Sequence, residues 1–228
     1  AAENLAVASR ILADQGVVDA FGHVSLRSPD NPKHFFMPRS IAPALTTPAD
    51  ILEFDENSNA LDAQGRAVFL ERFIHGEIYR RRPDVMAVVH SHSPAVIPFG
   101  VVKTPMGAMF HNAAFLAKGA PVFDIAEKFG ATNMLVANQA IGAALAERLG
   151  DKSVALMRGH GVAVVGPSLE LAVFRAVYTE VDARLQTQAT ALGGPIQFLT
   201  PEEGEKADKV NEQIVSRAWD LWKRRVAK

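Results

Sequence analysis

The 228-residue sequence contains no cysteine, and only two tryptophans and two tyrosines. Without thiols there are no disulfides and no thiolate metal ligands, a composition that fits a cytosolic protein. A charge excess is also missing: 24 Lys and Arg stand against 25 Asp and Glu, for a formal net charge of -1. Such a chain has no field to gather nucleic acid or an acidic membrane surface. No basic block accompanies an aromatic stacking platform. No run approaches the roughly 20 apolar residues of a membrane span. Ala1 to Arg10 lack the basic-then-apolar shape of a signal peptide, and neither repeats nor low-complexity stretches occur. The expectation is a cytoplasmic protein that binds neither nucleic acid nor membranes.

What is present is a 48% hydrophobic composition, ample for one large core. Leu5 to Gln15 has helical apolar spacing and stops at Gly16. Short strands are expected over His23 to Arg27, His34 to Met37 and Ile51 to Phe54, with a hairpin turn over Asp55 to Asn59. Ala67 to Arg81 returns to helical spacing. Val85 to Val89 is too short an apolar run for a helix and reads as a buried strand, after which Ser93-Pro94 offers a helix start. Asn133 to Leu149 predicts another helix. Two strands, Val154 to Met157 and Val162 to Val165, flank a tight Gly159-His160-Gly161 connection. A long helix runs from Pro167 to about Leu192, and a charged C-terminal helix from near Pro201 carries Trp219 and Trp222, read as packing residues. The pattern predicts one α/β domain over 1–193, a central sheet with helices on it, and a C-terminal helical arm over 194–228.

Three of the seven histidines stand out. His90 and His92 are two apart at the end of a strand, so both imidazoles face the same side. His160 sits between two glycines in a strand connection. Three neutral imidazoles suit a first-row divalent metal and leave positions open for a substrate, the mark of a catalytic site. Glu71 interrupts an apolar stretch, Val68-Phe69-Leu70-Glu71-Arg72-Phe73-Ile74, and has two readings: a solvated position paired with Arg72 or His75, or a carboxylate that binds the metal at rest and serves as acid or base when displaced.

Gly22-His23-Val24-Ser25-Leu26-Arg27, Glu71 with His75 four residues on, His90-Ser91-His92 and Arg158-Gly159-His160-Gly161 together resemble the class II aldolase/adducin family, over about Leu5 to Leu192. The resemblance implies a sheet-centred α/β fold and a divalent metal, Mn2+ or alternatively Zn2+, held by His90, His92 and His160. It also implies Glu71 as acid/base or exchangeable ligand, and a homotetramer with active sites between subunits. An adducin-like scaffold without catalysis is disfavoured, because all three metal histidines are present.

The departures from the sugar-phosphate aldolases of the family point to the substrate. Where those enzymes place small polar residues around a phosphate, this chain carries His23, Arg39-Ser40 and Phe69-Leu70. A phosphate buried against Phe69 and Leu70 would be poorly solvated. Arg39 offers a planar fork to a carboxylate. The position of the aldolases' proton-donating tyrosine is matched by His111. These features resemble the family's metal-dependent decarboxylase branch, typified by 3-hydroxy-2-methylpyridine-4,5-dicarboxylate 4-decarboxylase and the hydroxyphthalate decarboxylases. Expected catalytic residues are Glu71 and His111, and expected substrate contacts are His23, Arg39, Ser40 and Phe69. The alternative is an aldolase cleaving a non-phosphorylated hydroxy-keto acid.

Overall fold

In the computed structural model, which describes residues 1–227, seven strands form one sheet. They are β1 (His23–Arg27), β2 (Phe35–Pro38), β3 (Ile51–Phe54), β4 (Ala87–Ser91), β5 (Val122–Phe123), β6 (Val154–Met157) and β7 (Gly161–Gly166). Their order is β3-β2-β1-β4-β7-β6-β5, antiparallel throughout except for the β5–β6 pair. The helices are α1 (Ala2–Asp14), α2 (Arg72–Arg81), α3 (Ile125–Phe129), α4 (Gln139–Leu149), α5 (Leu169–Leu192) and α6 (Pro201–Arg225).

Strand alternation sorts the sheet into two faces. Val24, Val89, Val162 and Val164 point into a core shared with α1, α5 and α6, where Leu5, Ile11, Phe174, Trp219 and Trp222 pack. Val88, Ala163 and Val165 point the other way, onto Ile74 and Ile78 of α2 and Leu145 and Leu149 of α4. Full burial of each such aliphatic side chain contributes about 1.5–3 kcal/mol. By the same alternation His23, Ser25 and His90 belong to the α2/α4 side, next to His75 of α2.

Side chains fix the starts of the two long C-terminal helices. Ser168 accepts from Leu171 N–H at 3.1 Å to begin α5. Thr200 and Glu203 form a reciprocal capping box ahead of Pro201 in α6. The C-terminal segment is no detached arm in its contacts, since Trp219 and Trp222 are buried in the main core.

Several boundaries differ from the periodicity reading, each for a local reason. The helix expected from Ala67 begins at Arg72, because Val68, Phe69 and Leu70 line a cleft instead of packing as a helix face. The helix expected from Asn133 begins at Gln139. Asn138 caps it through Ile141 N–H at 3.0 Å, while the Val136 N–H is committed to the Glu71 carboxylate at 3.0 Å. Ser93 does not cap a helix. Its hydroxyl donates to Glu180, and the chain makes a turn and then a short 3-10 helix over Ile97–Gly100. The histidine strand runs over Ala87–Ser91 rather than Val85 to Val89, so His90 lies within the ladder, opposite Ala163.

Candidate metal centre

Three adjacent strands bring the site together. His23 of β1 is registered opposite His90 of β4, and β4 in turn pairs with β7, which begins directly after His160. Two glycines permit the approach. Gly161 lies so close to β4 that a Cβ there would stand 2.1 Å from the Ser91 carbonyl oxygen. Gly22, at φ +96°, occupies the left-handed region, where an added Cβ would also strike Val18 at 2.6 Å.

The imidazoles of His90, His92 and His160 converge on Glu71, with one potential ligand atom from each residue lying within 4.8 Å of the others. His92 Nε2 is 3.2 Å from His90 Nε2 and 3.1 Å from His160 Nε2. The Glu71 carboxylate is 3.4 Å from both His90 and His160 Nε2. Glu71 itself stands at the cap position of α2, its other oxygen accepting from Val136 N–H.

Backbone carbonyls set the tautomers. His90 Nδ1 lies 3.1 Å from the Val162 oxygen, and His160 Nδ1 lies 3.0 Å from the Met134 oxygen. A carbonyl can only accept, so each Nδ1 carries the hydrogen and each Nε2 presents a lone pair. Burial, with His90 and His160 beside it, pulls His92 down to about 4, so that ring is neutral near pH 7. At most one hydrogen is then available for contacts among three Nε2 atoms. Lone pairs at about 3 Å repel, and one cation among them removes the conflict. The donor set, three neutral imidazoles and a carboxylate, fits a divalent first-row metal. Burial raises the Glu71 carboxyl, whereas N–H groups or positive charge on His160 and His90 would hold it well below the usual carboxylate range; with Nε2 lone pairs facing it, that stabilisation falls to a bound cation.

Glu71, His90 and His92 of this cluster line a cleft of about 500 Å³. Of the residues expected to contact substrate, His23, Ser40 and Phe69 line it. His23 is buried, with the Phe69 ring 4.5 Å and the His90 ring 5.1 Å away between centroids. Phe21 and Leu70 form an apolar rim, 64% and 60% exposed. Lining side chains include no Lys or Arg.

Two expected site residues lie elsewhere in the chain. Arg39 does not line the cleft, and its Nε is held 2.6 Å from the Asp50 carboxylate. His111 is exposed at the start of the 3-10 segment His111–Leu116, away from the cleft wall, with its carbonyl held by Asn211 at 2.8 Å. Sequence reading missed Met134 and Val136, whose contributions are backbone atoms and leave no residue-type signal. It gave no role to Ser25, part of the His23 motif, and missed Tyr79; their common face with His75 follows from β1 alternation and from the i,i+4 spacing of His75 and Tyr79.

Residues 3–187 match the Class II Aldolase and Adducin N-terminal domain family. The decarboxylase tropJ of Talaromyces stipitatus is 36% identical over 239 residues, covering 95% of this chain and 90% of that protein. A 3,4-dihydroxyphthalate decarboxylase of Arthrobacter keyseri is 32% identical over 211 residues, covering 87% and 82%. The L-fuculose 1-phosphate aldolase of Glaciozyma antarctica superposes with a TM-score of 0.79 at 24% identity, over 99% of this chain and 87% of that one, a likeness of fold. The seven-stranded sheet, the geometry of three histidines with one glutamate and these matches agree: the chain belongs to the class II aldolase/adducin family.

Proposed function

We propose that this protein is a metal-dependent carboxy-lyase that removes carbon dioxide from a hydroxylated aromatic or pyridine dicarboxylate. The observation that carries this reading is the cleft itself, where three lone-pair imidazoles and an ionised Glu71 open between aromatic walls with no cationic cradle for a phosphate. The decarboxylases similar over most of the chain support it. Mn2+ is the proposed metal, with Zn2+ the alternative, since both suit this donor set. When bound, it supplies Lewis-acid stabilisation of negative charge on a substrate oxygen.

The chain's own residues account for the rest. Phe21 and Phe69 give a flat ring apolar surfaces on which to lie. Glu71, ionised at rest, accepts the proton of the substrate's ring hydroxyl. Protonated in this way, it delivers that proton to the ring carbon bearing the scissile carboxylate. The carbon–carbon bond then breaks, carbon dioxide leaves, and the bonding pair returns to the ring and restores aromaticity. The ring oxygen regains its proton from water when product departs. His23 and Ser40 orient the substrate from the wall, and positioning of this kind is worth several kcal/mol.

His111 fits this scheme in a homotetramer whose active sites lie between subunits, with the exposed imidazole of one copy completing the cleft of the next. Among the described residues, no helix is long and apolar enough to cross a membrane. The reading is tested by incubating manganese-loaded protein with hydroxylated aromatic dicarboxylates. Carbon dioxide release without an aldehyde product supports decarboxylation. Cleavage of non-phosphorylated hydroxy-keto acids, with no carbon dioxide from any dicarboxylate, would overturn it in favour of an aldolase.

A further inference from the structure

Behind the cleft wall lies a row of buried polar side chains that the chemistry above does not use. His23 Nδ1 is 2.7 Å from His75 Nε2. His75 Nδ1 is 2.6 Å from Ser25 Oγ, and Ser25 Oγ is 2.7 Å from the Tyr79 hydroxyl. Ser25 and His75 are wholly buried, and His23 and Tyr79 nearly so. Each contact in such a row holds one hydrogen, so the direction of donation at one end sets it at the other.

Tyr79 decides the direction. Burial keeps its phenol protonated. Ser25 Oγ is the one hydrogen-bond partner of this hydroxyl among the described residues, and the Arg27 guanidinium, 4.7 Å over its ring, cannot accept a hydrogen. The phenol hydrogen therefore goes to Ser25 Oγ, and the Ser25 hydroxyl goes on to His75 Nδ1. His75 carries its hydrogen on Nε2 and donates it to His23 Nδ1. The His23 hydrogen is left on Nε2, which has no hydrogen-bond partner among the described residues. The opposite direction would strand the Tyr79 hydrogen and turn a His23 lone pair toward the cleft.

We infer that Tyr79, Ser25 and His75 form a positioning relay that locks His23 in its Nε2–H tautomer, so that the cleft wall presents a fixed neutral donor and selects a substrate with an anionic or carbonyl oxygen at that place. Identifying that oxygen as the carboxylate that is retained rests on the decarboxylase reading; the tautomer does not. The cleft lining has no Lys or Arg, so away from the metal ligands a neutral donor is what the wall offers an oxygen of the substrate. The packed Phe69 ring keeps the imidazole plane from turning away.

The test is long-range proton–nitrogen correlation NMR on zinc-loaded protein labelled with 15N-histidine, read in the wild type and in Tyr79→Phe. The expected result is Nε2–H for both His23 and His75 in the wild type. Tyr79→Phe should give mixed tautomers at both rings, with KM for a dicarboxylate rising about tenfold while kcat changes less. A wild-type His23 protonated on Nδ1, or a Tyr79→Phe spectrum identical to wild type, overturns the relay. Expected tautomers in a protein that decarboxylates nothing would leave the relay standing and remove the decarboxylase reading instead.

Discussion

Met134 aims His160: its carbonyl oxygen lies 3.0 Å from His160 Nδ1, and it does so from φ 69°, a left-handed conformation unusual for a residue with a side chain. Strain of this kind, about 1–3 kcal/mol, persists where the surrounding structure enforces it. Met134→Gly should keep the carbonyl in place and leave metal affinity close to wild type. Met134→Val, β-branched, should melt earlier and bind metal on the order of 10-fold more weakly. Thermal melts and chelator competition on both variants check this. Equal metal affinity in the two would show that the carbonyl is not what orients His160.

Glu71→Gln keeps three imidazoles, and its amide oxygen can still accept from Val136 N–H. Metal content by elemental analysis should stay near wild type, while kcat falls by about 10²–10⁴-fold with the loss of acid–base transfer. His160→Ala should instead lose the metal. A Glu71→Gln variant at full activity would exclude Glu71 from proton transfer.

If a copy's His111 completes a neighbour's cleft, two inactive variants should rescue each other. Mixing Glu71→Gln with His111→Ala under conditions that exchange subunits should restore activity up to about a quarter of wild type, as random pairing gives one intact site in four. Continued inactivity of mixtures shown to contain hybrid oligomers would place His111 outside the site.

Asp182, wholly buried on α5, accepts from Met109 N–H at 2.9 Å through one oxygen, while the other has no partner. Burial pushes its carboxyl up to about 7. The unfolded chain ionises this group near pH 4, so between about pH 4 and 7 the folded state holds the extra proton and stability falls as pH rises. Above pH 7 both states are ionised and the loss levels off, at about 4 kcal/mol in all. Asp182→Asn should flatten this slope and raise the melting temperature more at pH 8 than at pH 5. Parallel stability–pH curves for variant and wild type would show that Asp182 does not titrate across that range.

Much of the site was legible because metal binding demands particular residue types at readable spacings. Strand alternation alone puts His90 and His92 on one side, and the Gly159-His160-Gly161 turn marks the third imidazole. The limits of β3 and β6 follow from apolar segments bounded by turn residues, and those of β1 from polar–apolar alternation. Helix starts were less visible where tertiary hydrogen bonds override periodicity, as when Glu71 takes the Val136 N–H and Asn138 caps α4. The two-residue strand β5 is too short to leave a pattern. Arg39 shows the limit of reading residue type alone, because a nearby Asp50 had already claimed part of its fork.

Because His23, His90 and the turn bearing His160 hang on one continuous β1–β4–β7 ladder, their mutual placement is a matter of backbone register. A slip by a single residue would swing each strand's side chains to the opposite face at once. Ligand geometry is thus quantised: chains with a half-formed sheet carry no weakened version of the centre, and metal capture should appear only with the last cooperative step of folding.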